Sequence, residues 1–234
     1  MKILALEFSS PQRSVAVVRL GPGTPEAKAG RALLEVSEVV ETGARPMNAL
    51  GMIEEALRQA QLERGQIEGL AIGIGPGSYT GIRSAISLAQ GWQLARGAKL
   101  LGISSAECIA AQAQAEGMFG RFEVVIDAQR GEFYLAGYDL TAENRAETEP
   151  LRLATMAEVT AKSHAGGTII GPQVTKWFSN SRVIFPRAAT LGELAAGRKD
   201  FVPGQKLEPI YLRETSFVKS PPARHLPEED GRTP

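Results

Sequence analysis

The stretch Ile72-Gly73-Ile74-Gly75-Pro76-Gly77-Ser78-Tyr79-Thr80-Gly81-Ile82-Arg83 constrains the fold most, because it joins a buried strand to a helix through a glycine-rich loop. Leu70 to Ile74 is an apolar run ending in Gly-Pro-Gly, and from Ile82 the apolar residues recur at helical spacing through Ala85, Ile86, Ala89 and Trp92. The period therefore changes from strand to helix across the loop. A helix start opened by glycines leaves backbone N–H groups pointing at one spot, which makes Gly75, Gly77, Ser78, Thr80 and Arg83 candidates for holding an anion or a nucleotide phosphate. The plainer reading is a tight turn with Ser78 or Thr80 as the helix cap. A Walker loop is excluded, since no Lys followed by Ser or Thr completes the stretch. Arg83 lies at the unfavourable end of the helix macrodipole and so calls for a partner: a carboxylate such as Glu7 or Asp127, or a bound phosphate.

From Ser84 to Ala95 the helix carries no charge. A surface helix ordinarily has a polar face, so this one is expected to be covered by its own sheet on one side and by a partner on the other. Ser84, Ser87 and Gly91 lie away from Ile82, Ile86 and Ala89 and would let another helix approach closely. An earlier helix is expected from about Met47 to Gln61, opened by Pro46. It carries one stripe of Leu50, Ile53, Leu57 and Ala60 and an adjacent one of Ala49, Met52 and Ala56, more than one sheet contact requires. Ala49, Met52, Ala56, Ser84, Ser87, Leu88 and Gly91 are therefore the expected partner interface, self-complementary enough to form a homodimer.

The remaining pattern is α/β. Ile3 to Phe8 and Ser14 to Arg19 read as a hairpin, followed by a strand near Leu33 to Val40, the two helices, a strand at Lys99 to Ile103 and a helix from Ser104 to about Glu116. At Gly117 to Arg121 the pattern begins again with a second hairpin, Phe122 to Asp127 and Glu132 to Tyr138. A helix near Thr155 to Lys162, a strand at Thr168 to Ile170 and a helix at Leu191 to Arg198 complete a smaller lobe. The expected division is 1–116, 117–213 and a disordered tail at 214–234, which carries Pro221, Pro222, Pro227 and Pro234.

Lys plus Arg equals Asp plus Glu at 26 each, so no overall positive field exists to gather RNA or an anionic membrane. Cys108 is the sole cysteine and lies in a run of small residues, which points to packing rather than chemistry. His164 and His225 are far apart and lack neighbouring ligands, so no metal site is expected. Met1 to Leu6 is too short for a signal-peptide core, and no run approaches the roughly 20 apolar residues of a membrane span, so the expected location is cytoplasmic.

Gly75 to Arg83, Ala89-Gln90-Gly91, Gly102-Ile103-Ser104-Ser105, Ile126-Asp127-Ala128 with Arg130-Gly131-Glu132, and Pro209-Ile210-Tyr211-Leu212-Arg213 together resemble the TsaB (YeaZ) family over residues 1 to about 213. The resemblance implies an actin-like, sugar-kinase- and Hsp70-like ATPase fold of two related lobes with mixed sheets and a degenerate nucleotide site. It also implies a non-catalytic role in threonylcarbamoyladenosine synthesis on tRNA: a dimerisation subunit that binds the transferase TsaD, works with the ATPase TsaE and meets tRNA only through the complex. Two positions depart from the family pattern. Glu7 stands where the family has Asp, and Met47-Asn48 where it has His-Ser. Ser9, Ser10 and Pro11 occupy the place of a glycine-bearing phosphate hairpin, and side chains there hinder the close backbone approach that phosphate requires. No cofactor is expected to be required, with weak nucleotide or phosphate binding left open. The alternative is a small-molecule kinase or ATPase of the same fold; a metalloprotease is disfavoured by the missing histidines, and direct tRNA binding by the zero net charge.

Overall fold

The computed structural model describes residues 1–20, 34–43 and 48–212. The loop expected at 21–30, Pro46 and Met47 at the helix opening, Arg213, His225 and the 214–234 tail lie outside the described residues. Two five-stranded mixed sheets organise the chain. The first is built from β1 (Lys2–Glu7), β2 (Gln12–Leu20), β3 (Leu34–Thr42), β4 (Gly69–Gly73) and β5 (Lys99–Ile103), in the order β3-β2-β1-β4-β5. The second is built from β6 (Gly120–Asp127), β7 (Glu132–Leu140), β8 (Arg145–Thr155), β9 (Thr168–Gly171) and β10 (Ser181–Val183), in the order β10-β9-β6-β7-β8. Each begins with an antiparallel hairpin whose first strand pairs in parallel with a later one, β1 with β4 and β6 with β9.

Alternation along β1 sorts the first core into two layers. Leu4 and Leu6 point to one face, where α1 (Ala49–Gln59) and α2 (Tyr79–Arg96) pack, while Ile3 and Ala5 point to the other. Helix α1 buries Met52, Ile53, Ala56 and Leu57. Each large apolar side chain so placed contributes about 1.5–3 kcal/mol. This corrects the reading of two stripes: Met52 and Ala56, expected on a partner surface, are 2% and 0% exposed and belong to the sheet-facing stripe, while Leu50, expected inward, is 58% exposed. Beyond its first turn the outer side of α1 carries Glu54, Arg58 and Gln59. The Met47-Asn48 departure keeps the helix start intact, because Asn48 Oδ1 accepts the Gly51 N–H at 3.2 Å as a serine cap would.

Helices α3 (Ser105–Ala115) and α5 (Ala188–Ala196) trade places relative to the sequence division. Ala106, Ile109, Ala110 and Ala113 of α3 pack with Phe122, Val124 and Ala136 of the second sheet. Helix α5, expected to complete the second lobe, lies instead on the first sheet, where Leu191 and Ala195 meet Ile3, Ala5 and Ala16. Its first N–H groups lack a cap from their own segment. Ala188 N–H donates to Ser14 Oγ at 2.8 Å and Ala189 N–H to Glu38 Oε1 at 3.0 Å, so residues of β2 and β3 satisfy them. Helix α4 (Met156–His164) stays with the second sheet, started by a reciprocal capping box between Thr155 and Glu158. Cys108 is buried, donates its S–H to the Arg187 carbonyl at 3.4 Å, and has its thiol pushed well up by burial, as a packing residue should. Among the described residues no helix is long and apolar enough to cross a membrane.

Candidate functional site

Both hairpins and the start of α2 converge on a cleft of about 500 Å³, lined among others by Ser9, Ser10, Arg13, Gly77, Ser78, Tyr79, Asp127, Gln129, Tyr134 and Gln173. The two hairpin acids behave alike. Glu7 Oε1 accepts the Ser9 N–H at 2.8 Å, and Asp127 Oδ1 accepts the Gln129 N–H at 2.7 Å. Glu7 is fully buried, bonded also by the Ser105 hydroxyl at 3.2 Å, and burial raises its pKa despite those hydrogen bonds. Asp127 also accepts from Gln129 Nε2 at 2.8 Å, so it caps its own turn. Ser10 Oγ donates to the Gln12 carbonyl, and Ala128 N–H to the Glu132 carbonyl. The N–H groups of Ser9, Ala128 and Gln129 are thus bonded within their own hairpins, leaving less for a phosphate.

The glycine loop is built for contact with the first hairpin. Ser78 N–H donates to the Ser9 carbonyl at 2.7 Å, and Ser78 Oγ caps α2 by accepting from Gly81 N–H at 3.4 Å. A Cβ at Gly77, whose φ is +149°, would lie 2.2 Å from the Ser9 carbonyl oxygen, and one at Gly81 2.0 Å from that of Phe8. Gly77 and Ser78 reach the cleft, whereas Gly75 is buried and its carbonyl is taken by Ser105 N–H at 2.8 Å. Thr80 is exposed and Ser78, not Thr80, supplies the cap. Arg83 does not fit either expected acid. Glu7 is committed to Ser9 and Ser105, Asp127 to Gln129, and Arg83 instead stacks over Tyr79 with its guanidinium 5.2 Å from the ring centroid.

The outer side of α2 is the second candidate surface. Ser87 and Gly91 are exposed, Ser84 and Leu88 half-buried, and Leu94 is 91% exposed. Leu88 and Trp92 lean on the core from the flank, and Ala49 does the same from α1. The structure therefore gathers Ser84, Ser87, Leu88 and Gly91 on one helix face and leaves Met52 and Ala56 out of it. Leu94 lies within the uncharged run but outside the residues expected at the interface, and its exposure is seen only in the structure. Tyr211 was missed as a neighbour of Tyr79, and nothing in sequence spacing could have joined them.

A family model described as TsaD, tRNA N6-adenosine threonylcarbamoyltransferase, matches residues 47–208. The tRNA threonylcarbamoyladenosine biosynthesis protein TsaB of Haemophilus influenzae is 25% identical, the match covering 96% of this chain and 98% of that protein. Its namesake in Escherichia coli is 26% identical over 75% of this chain and 83% of its own. A solved Pseudomonas aeruginosa structure, described as similar to peptidase YEAZ, superposes with a TM-score of 0.72 at 25% identity, covering 91% of this chain and 99% of its own. YeaZ from the same organism superposes at 0.73 with 24% identity, covering 90% and 99%. The two mixed sheets with their helices are the actin-like α/β fold.

Proposed function

The chain belongs to the TsaD threonylcarbamoyltransferase family and, within it, to the TsaB (YeaZ) branch, and from that premise we propose that it serves threonylcarbamoyladenosine synthesis on tRNA as a non-catalytic scaffold. It binds TsaD, supports the transfer together with TsaE, pairs with itself when alone, and meets tRNA only through the complex. The observation that carries this reading is the outer face of α2, uncharged from Ser84 to Ala95 and ending in Leu94 at 91% exposure. Left open, such a face is an aggregation liability. A second copy related by a two-fold axis would cover it, and a TsaD of related fold could replace that copy.

The test places a charge on this face. Ser87→Arg and Leu94→Arg change side chains already in solvent, so each variant should fold. Both should turn monomeric by light scattering and lose TsaD in a pull-down, because the new cation would be buried unpaired in the contact. Two variants that stay dimeric and bind TsaD normally would show the surface to be wrongly assigned. Met52→Arg is no test of the interface, since it puts a cation into the core.

The non-catalytic part of the reading draws on the cleft, where Glu7 is buried and Asp127 and the Ser9, Ala128 and Gln129 N–H groups are bonded locally. No cofactor is required on this reading. The purified chain should hydrolyse ATP negligibly, measured as released phosphate. Robust turnover that Asp127→Ala abolishes would replace the scaffold with an ATPase or small-molecule kinase.

A further inference from the structure

Arg83 stands exposed in the first turn of α2, and among the described residues its partners are two tyrosines. The guanidinium lies over the Tyr79 ring and close to the Tyr211 side chain. The two rings sit 5.8 Å apart at 31°, yet Tyr79 remains 60% and Tyr211 51% exposed. Tyr211 is brought there by a returning segment held along its length. Val202 N–H donates to the Leu100 carbonyl, Gly204 is clasped by Gln90 and Gln93, and Ile210 N–H donates to the Ile74 carbonyl at 2.9 Å. The fold thus presents a planar cation on the face of Tyr79, whose ring lies against that of Tyr211, and no carboxylate of the described residues pairs with it. A cation in a first helical turn is unfavourable by itself, which leaves this one with unused capacity for an acid.

We infer that Tyr79, Arg83 and Tyr211 form an anchor for a carboxylate of the protein partner that docks on α2, the guanidinium taking the acid and the rings flanking it. Arg83 is four and eight residues before Ser87 and Gly91 and so extends their exposed face by one turn. Tyr and Arg are the residue types that dominate binding energy at protein interfaces. An RNA strand is the poorer fit, because repeated phosphates need several cations and α2 offers none between Arg83 and Arg96. The inference rests on the scaffold reading and adds the chemistry of one contact to it.

The test is calorimetric titration of TsaD into the full chain at low and at high salt, with Arg83→Gln and Tyr211→Phe beside the wild type. Arg83→Gln should weaken binding by about 30-fold or more and flatten the salt dependence. Tyr211→Phe keeps the ring that stacks on Tyr79, removes the hydroxyl near the guanidinium, and should give a smaller loss. Circular dichroism melts show that each variant folds. Wild-type affinity and salt slope in Arg83→Gln would overturn the anchor while leaving the scaffold intact. Unchanged TsaD affinity with weakened tRNA binding by the assembled complex would also overturn it, and would assign the site to RNA. A wild-type chain that does not bind TsaD removes the scaffold reading and the anchor together.

Discussion

Gly81→Ala is expected to destabilise the chain by about 3 kcal/mol or more, a large share of the roughly 5–15 kcal/mol that holds a domain folded. The added methyl would lie 2.0 Å from the Phe8 carbonyl oxygen and 3.0 Å from its carbonyl carbon. These are backbone atoms at the end of the β1–β2 hairpin, so no side chain can turn aside to make room. Moving them would break the approach that lets Ser78 N–H reach the Ser9 carbonyl. A urea titration reads the effect as a lower midpoint with the slope unchanged. The same experiment separates the two readings of the glycine loop: an anion cradle would lose ligand affinity while keeping its stability, whereas a packing joint loses stability without any ligand present. A Gly81→Ala chain as stable as the wild type would refute the joint.

The second large effect lies at Glu7 and has a sign that depends on pH. Its carboxyl is fully buried, and burial raises its pKa above the ordinary 4.5 while the bonds from Ser9 and Ser105 pull weakly the other way. The native state therefore holds its proton to higher pH than the unfolded chain does. Native stability from this group is complete below about 4.5 and falls as pH rises through the raised value. Glu123 adds a slope of the same sign: among the described residues its buried oxygens find no hydrogen-bond partner, and burial raises its pKa despite the Arg121 guanidinium 3.4 Å away. The exposed Glu55, held at about 2 by Arg58 and Gln59, works in the opposite sense in acid. Comparison of Glu7→Gln with the wild type across pH isolates the one group: the variant should gain on the wild type as pH rises from about 4.5. A difference independent of pH would mean that Glu7 is charged in the fold. Glu7→Ala strands the Ser9 N–H and the Ser105 hydroxyl, at about 1–3 kcal/mol each, and should be destabilised throughout.

Periodicity marked out both hairpins, the strand-to-helix switch at the glycine loop, and α1 to α4 within a few residues, because each rests on local spacing and a local cap such as Asn48, Ser78, Ser104 or Thr155. Strand β8 escaped notice for a local reason as well. It is an edge strand carrying Arg145, Glu147, Glu149, Pro150 and Arg152, with little apolar alternation, and an edge tolerates both charge and proline. The loop glycines were visible as special, but their purpose was not, since the carbonyls they approach belong to a hairpin some 70 residues earlier.

The two hairpin-led halves, the uncharged helix and the family are legible in the order of residues alone, because each is carried by residues near one another in the chain. Which face of α1 is core was settled in three dimensions, since two adjacent apolar stripes fit a sheet equally well until packing on β2 and β3 fixes the rotation. Tertiary structure also decided that α5 returns to the first sheet, because the groups capping it, Ser14 and Glu38, lie about 150 to 174 residues away. The meeting of Tyr211 with Tyr79 beside Arg83 was decided in the same way, by the path of a returning segment that no local period records.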